Sequence, residues 1–186
     1  MVDWLAQRFG TDKLQAERVS RTAQSLLQAL MPSGAAADER QRYLQKLHWA
    51  CQLHETGLRI SHSDYHKHGA YILDNTDLPG FTLDELHRLS QLVLGHRGKL
   101  RKLEVEMQDA SLVQQLMALR LSVILCHARR DPDLSGLDIT CDALRRTARL
   151  KISSEWAELW PQSAHLLREE KTAWQKTDWT FQVQSE

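Results

Sequence analysis

The segment from Leu47 to Leu73, LHWACQLHETGLRISHSDYHKHGAYIL, constrains the chain most, because it places four of the nine histidines within fifteen residues. Its first part has helical periodicity. Leu47, Cys51, His54 and Leu58 recur every three or four residues, so His54 shares a stripe with apolar side chains and is directed inward. Gly57 offers a left-handed close to that helix. Beyond the turn lie His62, Ser63 and Asp64, and a second helix carrying His66 and His68 is expected from about Tyr65. Imidazoles gathered this closely suit three roles: metal ligation, hydrogen bonding to phosphate, or hydrogen bonding to one another.

On either side of this segment the pattern is largely helical. Asp3 to Phe9 reads as a short helix broken by Gly10, with Thr11 as the cap of the next, which runs from Asp12 to Leu30 on a stripe of Leu14, Val19, Ala23, Leu26, Leu27 and Leu30. Pro32 to Gly34 and the alanines after them form a linker, and Asp38 is placed to cap the helix bearing Leu47. The segment NTDLPG, Asn75 to Gly80, is a loop. Thr82 with Glu85 three residues later makes a capping box, flanked by Phe81 and Leu86, for a helix on Leu86, Leu89 and Val93 that ends near His96. A long helix is expected from Asp109 to Arg130, with Leu112, Leu116, Met117, Val123, Ile124 and His127 on one face, stopped by Asp131, Pro132 and Asp133.

Past Asp133 the texture changes. LDIT, RTARLKIS and WTFQVQ alternate like strands, and Ser154 to Trp174 between them reads as one helix despite Pro161. The expected organisation is therefore an α-helical domain over 1–133 and a small β-β-α-β unit over 134–186 packed on it. Of the six tryptophans, Trp4 and Trp49 fall on helical apolar stripes and read as core. Trp156, Trp160, Trp174 and Trp179 read as the knit between the helix and the sheet of the tail.

Lysine plus arginine equals aspartate plus glutamate, 24 of each. With no net field, the chain lacks the general basicity that nucleic-acid or membrane-surface binding draws on, and any anion site has to be local. The most apolar stretch, Leu112 to Cys126, contains Gln114, Gln115 and Arg120 and is too short and too polar to span a bilayer. The N-terminal MVDWLAQRFG has no apolar core of a signal peptide. Three cysteines, Cys51, Cys126 and Cys141, lie far apart without a CxxC spacing, which suits reduced thiols in a cytoplasmic protein. The densest positive run is HRGKLRK, where Arg97, Lys99, Arg101 and Lys102 follow His96 within seven residues. Glu104 and Glu106 read as solvated loop positions.

The string HETG, with HGAYIL after it, resembles the HD-domain superfamily of metal-dependent phosphohydrolases. The longer string HETGLRISHSDYHKHGAYILDNTDLPGF is similar to the C-terminal half of the exopolyphosphatase and guanosine pentaphosphate phosphohydrolase (Ppx/GppA) family, from about Asp12 to the end. The resemblance implies a mainly α, HD-like helical bundle followed by a small α+β unit. It also implies that catalysis, with magnesium, belongs to N-terminal actin-like domains that have no counterpart here, so that this chain carries no cofactor and is inactive alone. What it would contribute is guidance of inorganic polyphosphate and support of a homodimer. The residues matching that role are Arg59, His62, His66, Lys67, His68, His96, Arg97, Lys99, Arg101 and Lys102, able to meet successive phosphates with salt-dependent affinity.

Two rivals remain. A self-sufficient HD-type enzyme would hold its cation through His54, Glu55, His66, His68 and His96, with His62, His66 and His68 as a further histidine site. Yet the position of the first HD ligand holds Gln15 and that of the last carboxylate holds Val123, while the pair itself is His54 and Glu55. Loss of donors on two sides opens such a cage. The other rival is a scaffold without a ligand. No GxSxG elbow, no GK[ST] phosphate loop and no cysteine beside a base supports other chemistry.

Overall fold

The computed structural model describes residues 1–103 and 106–185, so Glu104 lies outside the described residues. Helix α1 spans Val2–Arg8 and α2 spans Lys13–Leu30. Asp12, not Thr11, caps α2 by accepting from Gln15 N at 3.1 Å, while the Thr11 hydroxyl donates back to Ala6 O. Val19, Ala23, Leu26, Leu27 and Leu30 are buried as their spacing requires, but Leu14, in the first turn and clear of any neighbouring helix, is 71% exposed. Helix α3, Ala37–Leu53, starts one residue before Asp38. Asp38 therefore acts from inside the first turn, against the positive end of the helix dipole, and pairs with Arg42 at 3.0 Å.

Helix α4 is Tyr65–Asp74 and α5 is Leu83–Gly95, the latter with the complete Thr82–Glu85 capping box. Phe81, half-buried, packs edge-on against Trp49 at 4.8 Å. Trp4 does not join the core. It is 49% exposed and lies beneath the Arg8 guanidinium at 5.2 Å.

Helix α6, Ala110–Leu125, is the centre of the molecule, and every residue from Leu112 to Ser122 is buried. It is buried all round rather than along one face, and it stops five residues short of Arg130. The chain closes it with tight turns: Cys126 N to Ser122 O, His127 N to Ile124 O, and Arg129 N to Cys126 O, with Arg129 itself left-handed at φ 55°. Val123 and Ile124 are consequently half-buried and His127 is exposed.

Strands β1, Leu137–Asp142, and β2, Thr147–Ile152, form an antiparallel hairpin, and β3, Thr180–Ser185, adds in parallel to β2. The parallel step needs a crossover, supplied by α7, Ser154–Leu159, and α8, Pro161–Trp174. These are two helices, not one, because Pro161 lacks the N–H that would continue α7 but suits the first position of α8. Ile139, Ala148, Leu150, Ile152 and Phe181 meet Trp156, Ala164, Leu167 and Trp174 in an apolar cluster continuous with that around α6. The fold is thus mainly α followed by a small α+β unit. No helix of the described residues is long and apolar enough to cross a membrane.

A buried ion pair joins the two parts. Arg120 of α6 faces Glu170 of α8, with Nε on one carboxylate oxygen and a terminal nitrogen on the other at 3.1 Å, and Trp174 Nε1 donates to the same carboxylate at 3.0 Å. A buried charge stripped of its partner is costly. Glu170→Ala is expected to lower stability by roughly 3 to 5 kcal/mol, read as a shifted urea midpoint with an unchanged slope.

Candidate functional site

Three segments converge on the histidine cluster. Helix α3 ends at Leu53 with His54 as its C-terminal cap, and a 3-10 turn, Thr56–Arg59, follows at once. Gly57 lies inside this turn without positive φ, so it does not serve as a left-handed stop. Its role is close approach: a Cβ there would sit 1.8 Å from Tyr65 O and 2.7 Å from Gly69 N. Backbone therefore crosses backbone between the turn and α4. Gly69 completes the contact, its missing side chain leaving room for Thr56 Oγ1 and Val93. This crossing carries Tyr65 and His66 against the end of α5, where His96 is the cap.

The result is a set of buried imidazoles. His54 and His96 are each 2% exposed and His66 is 8% exposed. The His54 and His96 rings meet edge to face at 5.3 Å and His66 and His96 at 6.3 Å, while Tyr65 and His96 lie tilted at 5.3 Å. His54 Nδ1 and His96 Nδ1 each lie 2.6 Å from a carbonyl three residues back, Cys51 O and Val93 O. A carbonyl only accepts, so both Nδ1 atoms carry the hydrogen and both Nε2 atoms keep the lone pair. His96 Nε2 accepts from the Tyr65 hydroxyl at 3.2 Å. His66 Nδ1 is buried with no hydrogen-bond partner.

Burial favours the neutral form of all three rings. It is the largest influence lowering the pKa of each, reinforced at His66 by the neighbouring Arg97 and at His96, which falls well below the usual value, by His54. Glu55 pulls His54 the other way without reversing the shift. Burial likewise raises the Tyr65 phenol.

Over this cluster runs the basic loop. Arg97 lies above the Tyr65 ring at 4.7 Å. Lys99, Arg101 and Lys102 are exposed, and among the described residues none of these four cations forms an ion pair. The remaining expected residues scatter. Lys67 is held by Asp64 at 2.9 Å, His62 is exposed on the turn before α4, and His68, half-buried, makes none of the ring contacts. Arg59 faces a different cleft of about 380 Å³, shared with Asp12, Glu55 and Arg129.

That cleft shows what occupies the surroundings of the His54–Glu55 pair. Arg129 bridges Asp12 at 2.8 Å and Glu55 at 2.9 Å. Gln15 donates to Cys126 O at 2.9 Å and accepts from Arg18 at 2.6 Å, and Val123 is half-buried and apolar. Magnesium prefers oxygen ligands, whereas the cluster offers imidazole nitrogen and the nearby carboxylates are held by a guanidinium, so these residues do not fit that ion. Among the described residues no group of three or more His, Cys, Asp or Glu is placed to hold a metal. Ser20 and His48, 2.8 Å apart, are a pair that sequence reasoning missed. Ser20 is buried in α2 and also accepts from Gln24, which makes it a packing contact between helices.

The sequence model of the Ppx/GppA phosphatase family, domain III, matches residues 1–172. The chain belongs to the Ppx/GppA phosphatase family. The match takes in α1, whose Val2 and Leu5 are buried, and so begins earlier than the resemblance at Asp12. Relatives named guanosine-5'-triphosphate,3'-diphosphate pyrophosphatase match the chain. The one from Pseudoalteromonas translucida is 34% identical over 98% of this chain and 36% of its own length. The one from Aeromonas hydrophila is 33% identical over 95% of this chain and 36% of its own length. The chain thus spans about a third of these Ppx/GppA relatives, matching their C-terminal part.

Because the three rings are neutral when folded, the unfolded chain takes up protons first as the pH falls. Histidine in the unfolded chain titrates near 6.5, so stability is greatest above that value and declines below it, towards the lowered folded pKa values. The slope is expected to reach up to about 4 kcal/mol per pH unit if all three rings contribute. Urea titrations between pH 8 and 5 would show it, and a flat profile would rule out buried neutral rings.

Proposed function

We propose that this chain is the substrate-guiding and assembly domain of a Ppx/GppA-type phosphohydrolase, binding a linear phosphoanhydride chain while hydrolysis takes place in N-terminal domains that would hold the magnesium. The observation that carries this is the run Arg97, Lys99, Arg101 and Lys102, exposed cations that form no ion pair among the described residues, in a chain of zero formal charge. Exposed cations in succession suit phosphates in succession, each contact releasing counterions. Tyr65 lies beneath Arg97, and Arg59 marks a second cationic point in the cleft that Glu55 also lines.

Inorganic polyphosphate and the 5'-triphosphate end of guanosine pentaphosphate share this chemistry, and the names of the relatives favour the second as the physiological ligand. The free thiols of Cys51, Cys126 and Cys141 suit a cytoplasmic setting. Exposed apolar side chains at Trp4, Leu14, Ile60 and Leu83 suit assembly into a homodimer.

Arg97→Ala with Lys99→Ala is expected to weaken retention of sodium polyphosphate at low salt and to make the dependence of log affinity on log salt shallower by about 1.5 units. Unchanged retention would leave a scaffold without a ligand. Light scattering on the same preparation is expected to give twice 21.5 kDa, and a monomer mass would remove the assembly role.

A further inference from the structure

We propose that Glu170, acting through Arg120, is a positioning residue for the basic loop, so that the C-terminal α+β unit clamps the phosphate-binding wall from behind. This rests on reading Arg97 to Lys102 as that wall. The five guanidinium donors of Arg120 are divided. Nε and one terminal nitrogen are spent on the two oxygens of Glu170, and the other terminal nitrogen, NH1, reaches Gly95 O at 2.6 Å and Gly98 O at 3.2 Å. Gly95 closes α5, where carbonyls lack a partner within the helix and the negative end of the dipole favours a cation. Arg120 thus caps α5 from another helix.

Between the two carbonyls so fixed stand only His96 and Arg97. Gly98 turns the chain at φ +75° and brings its backbone against His66, where a Cβ would lie 3.2 Å from Nε2. With positions 95 and 98 both tied to Arg120, Arg97 is delivered over the Tyr65 ring. Arg120 in turn is oriented by Glu170, and Glu170 by the Trp174 indole, both residues of α8. Arg120 and Glu170 are 5% and 7% exposed, so charge-assisted hydrogen bonds act there at full directional strength. A chain of contacts therefore leads from α8 to an exposed cation that none of the α8 residues touches.

The test is polyphosphate affinity of the full chain carrying Glu170→Gln, with Trp174→Phe as a gentler variant should the first fold poorly. Glu170→Gln is expected to weaken binding roughly three- to tenfold and Trp174→Phe less, each with a shallower salt dependence. In an Arg97→Ala background both effects should vanish, since the residue being positioned is gone. NMR signals of His66 and His96 should shift in both variants. If Arg97→Ala weakens binding while Glu170→Gln and Trp174→Phe bind as the parent, the clamp is refuted and the wall survives. If Arg97→Ala with Lys99→Ala changes nothing either, the wall is refuted and the clamp falls with it. Loss in Glu170→Gln that persists in the Arg97→Ala background would reduce Glu170 to a structural role and overturn the proposal.

Discussion

A helix buried on every side has nowhere to place polar side chains except on other protein groups, and α6 meets this constraint by serving the ends and edges of its neighbours. Gln114 donates to Leu30 O at the last residue of α2, Gln115 to Tyr43 O of α3 while accepting from Arg88 of α5, and Arg120 to Gly95 O of α5. Each of these groups would carry a desolvation penalty if left alone. Satisfied in this way, they hold several surrounding elements in register about one axis. The apolar area around α6 drives collapse without direction, and the amides and guanidinium give it one.

The site inherits its geometry from that arrangement. Close backbone crossing at Gly57 and Gly69 sets α4 against α5, and the end of α5 is held by α6, so rings from three segments come within stacking distance. Burial strips the rings of the water that would stabilise their charge, and Arg97 beside His66 acts in the same direction, so the neutral forms are favoured. Buried imidazoles whose Nδ1 hydrogens are given to backbone carbonyls thus lie close to the segment that carries the exposed Arg97.

Much of this was legible where the signal is local. The capping box at Thr82 and Glu85 depends on residues three apart, and the alternation of LDIT and WTFQVQ needs only its own strand, so both are found where expected. The inward direction of His54 follows from its apolar stripe, but His66 and His96 are read from the sequence only within wider sets that also hold His68, and the meeting of these three rings depends on the crossing at Gly57 and Gly69. Other features were misread because two physical causes leave the same mark. A glycine after a helix serves either a left-handed stop or a close crossing, and Gly57 serves the second. Aspartate and threonine in adjacent positions are both good caps, and Asp12 rather than Thr11 is used. Trp4 has the spacing of a core residue in a helix too short to bury both its sides. The pairing of Arg120 with Glu170 and the bridge from Arg129 to Asp12 and Glu55 join residues far apart in the chain, and no periodicity announces them.

Arg129 leaves one further mark on the chemistry of this chain. Its left-handed backbone aims a guanidinium between two carboxylates that would otherwise repel each other, and that cation is tethered by peptide bonds. A dissolved ion in the same place would come and go with its concentration and could be stripped by a chelator. A covalently attached counter-charge is present in every copy of the molecule, so Asp12 and Glu55 have a neutralising partner whatever the composition of the solution around them.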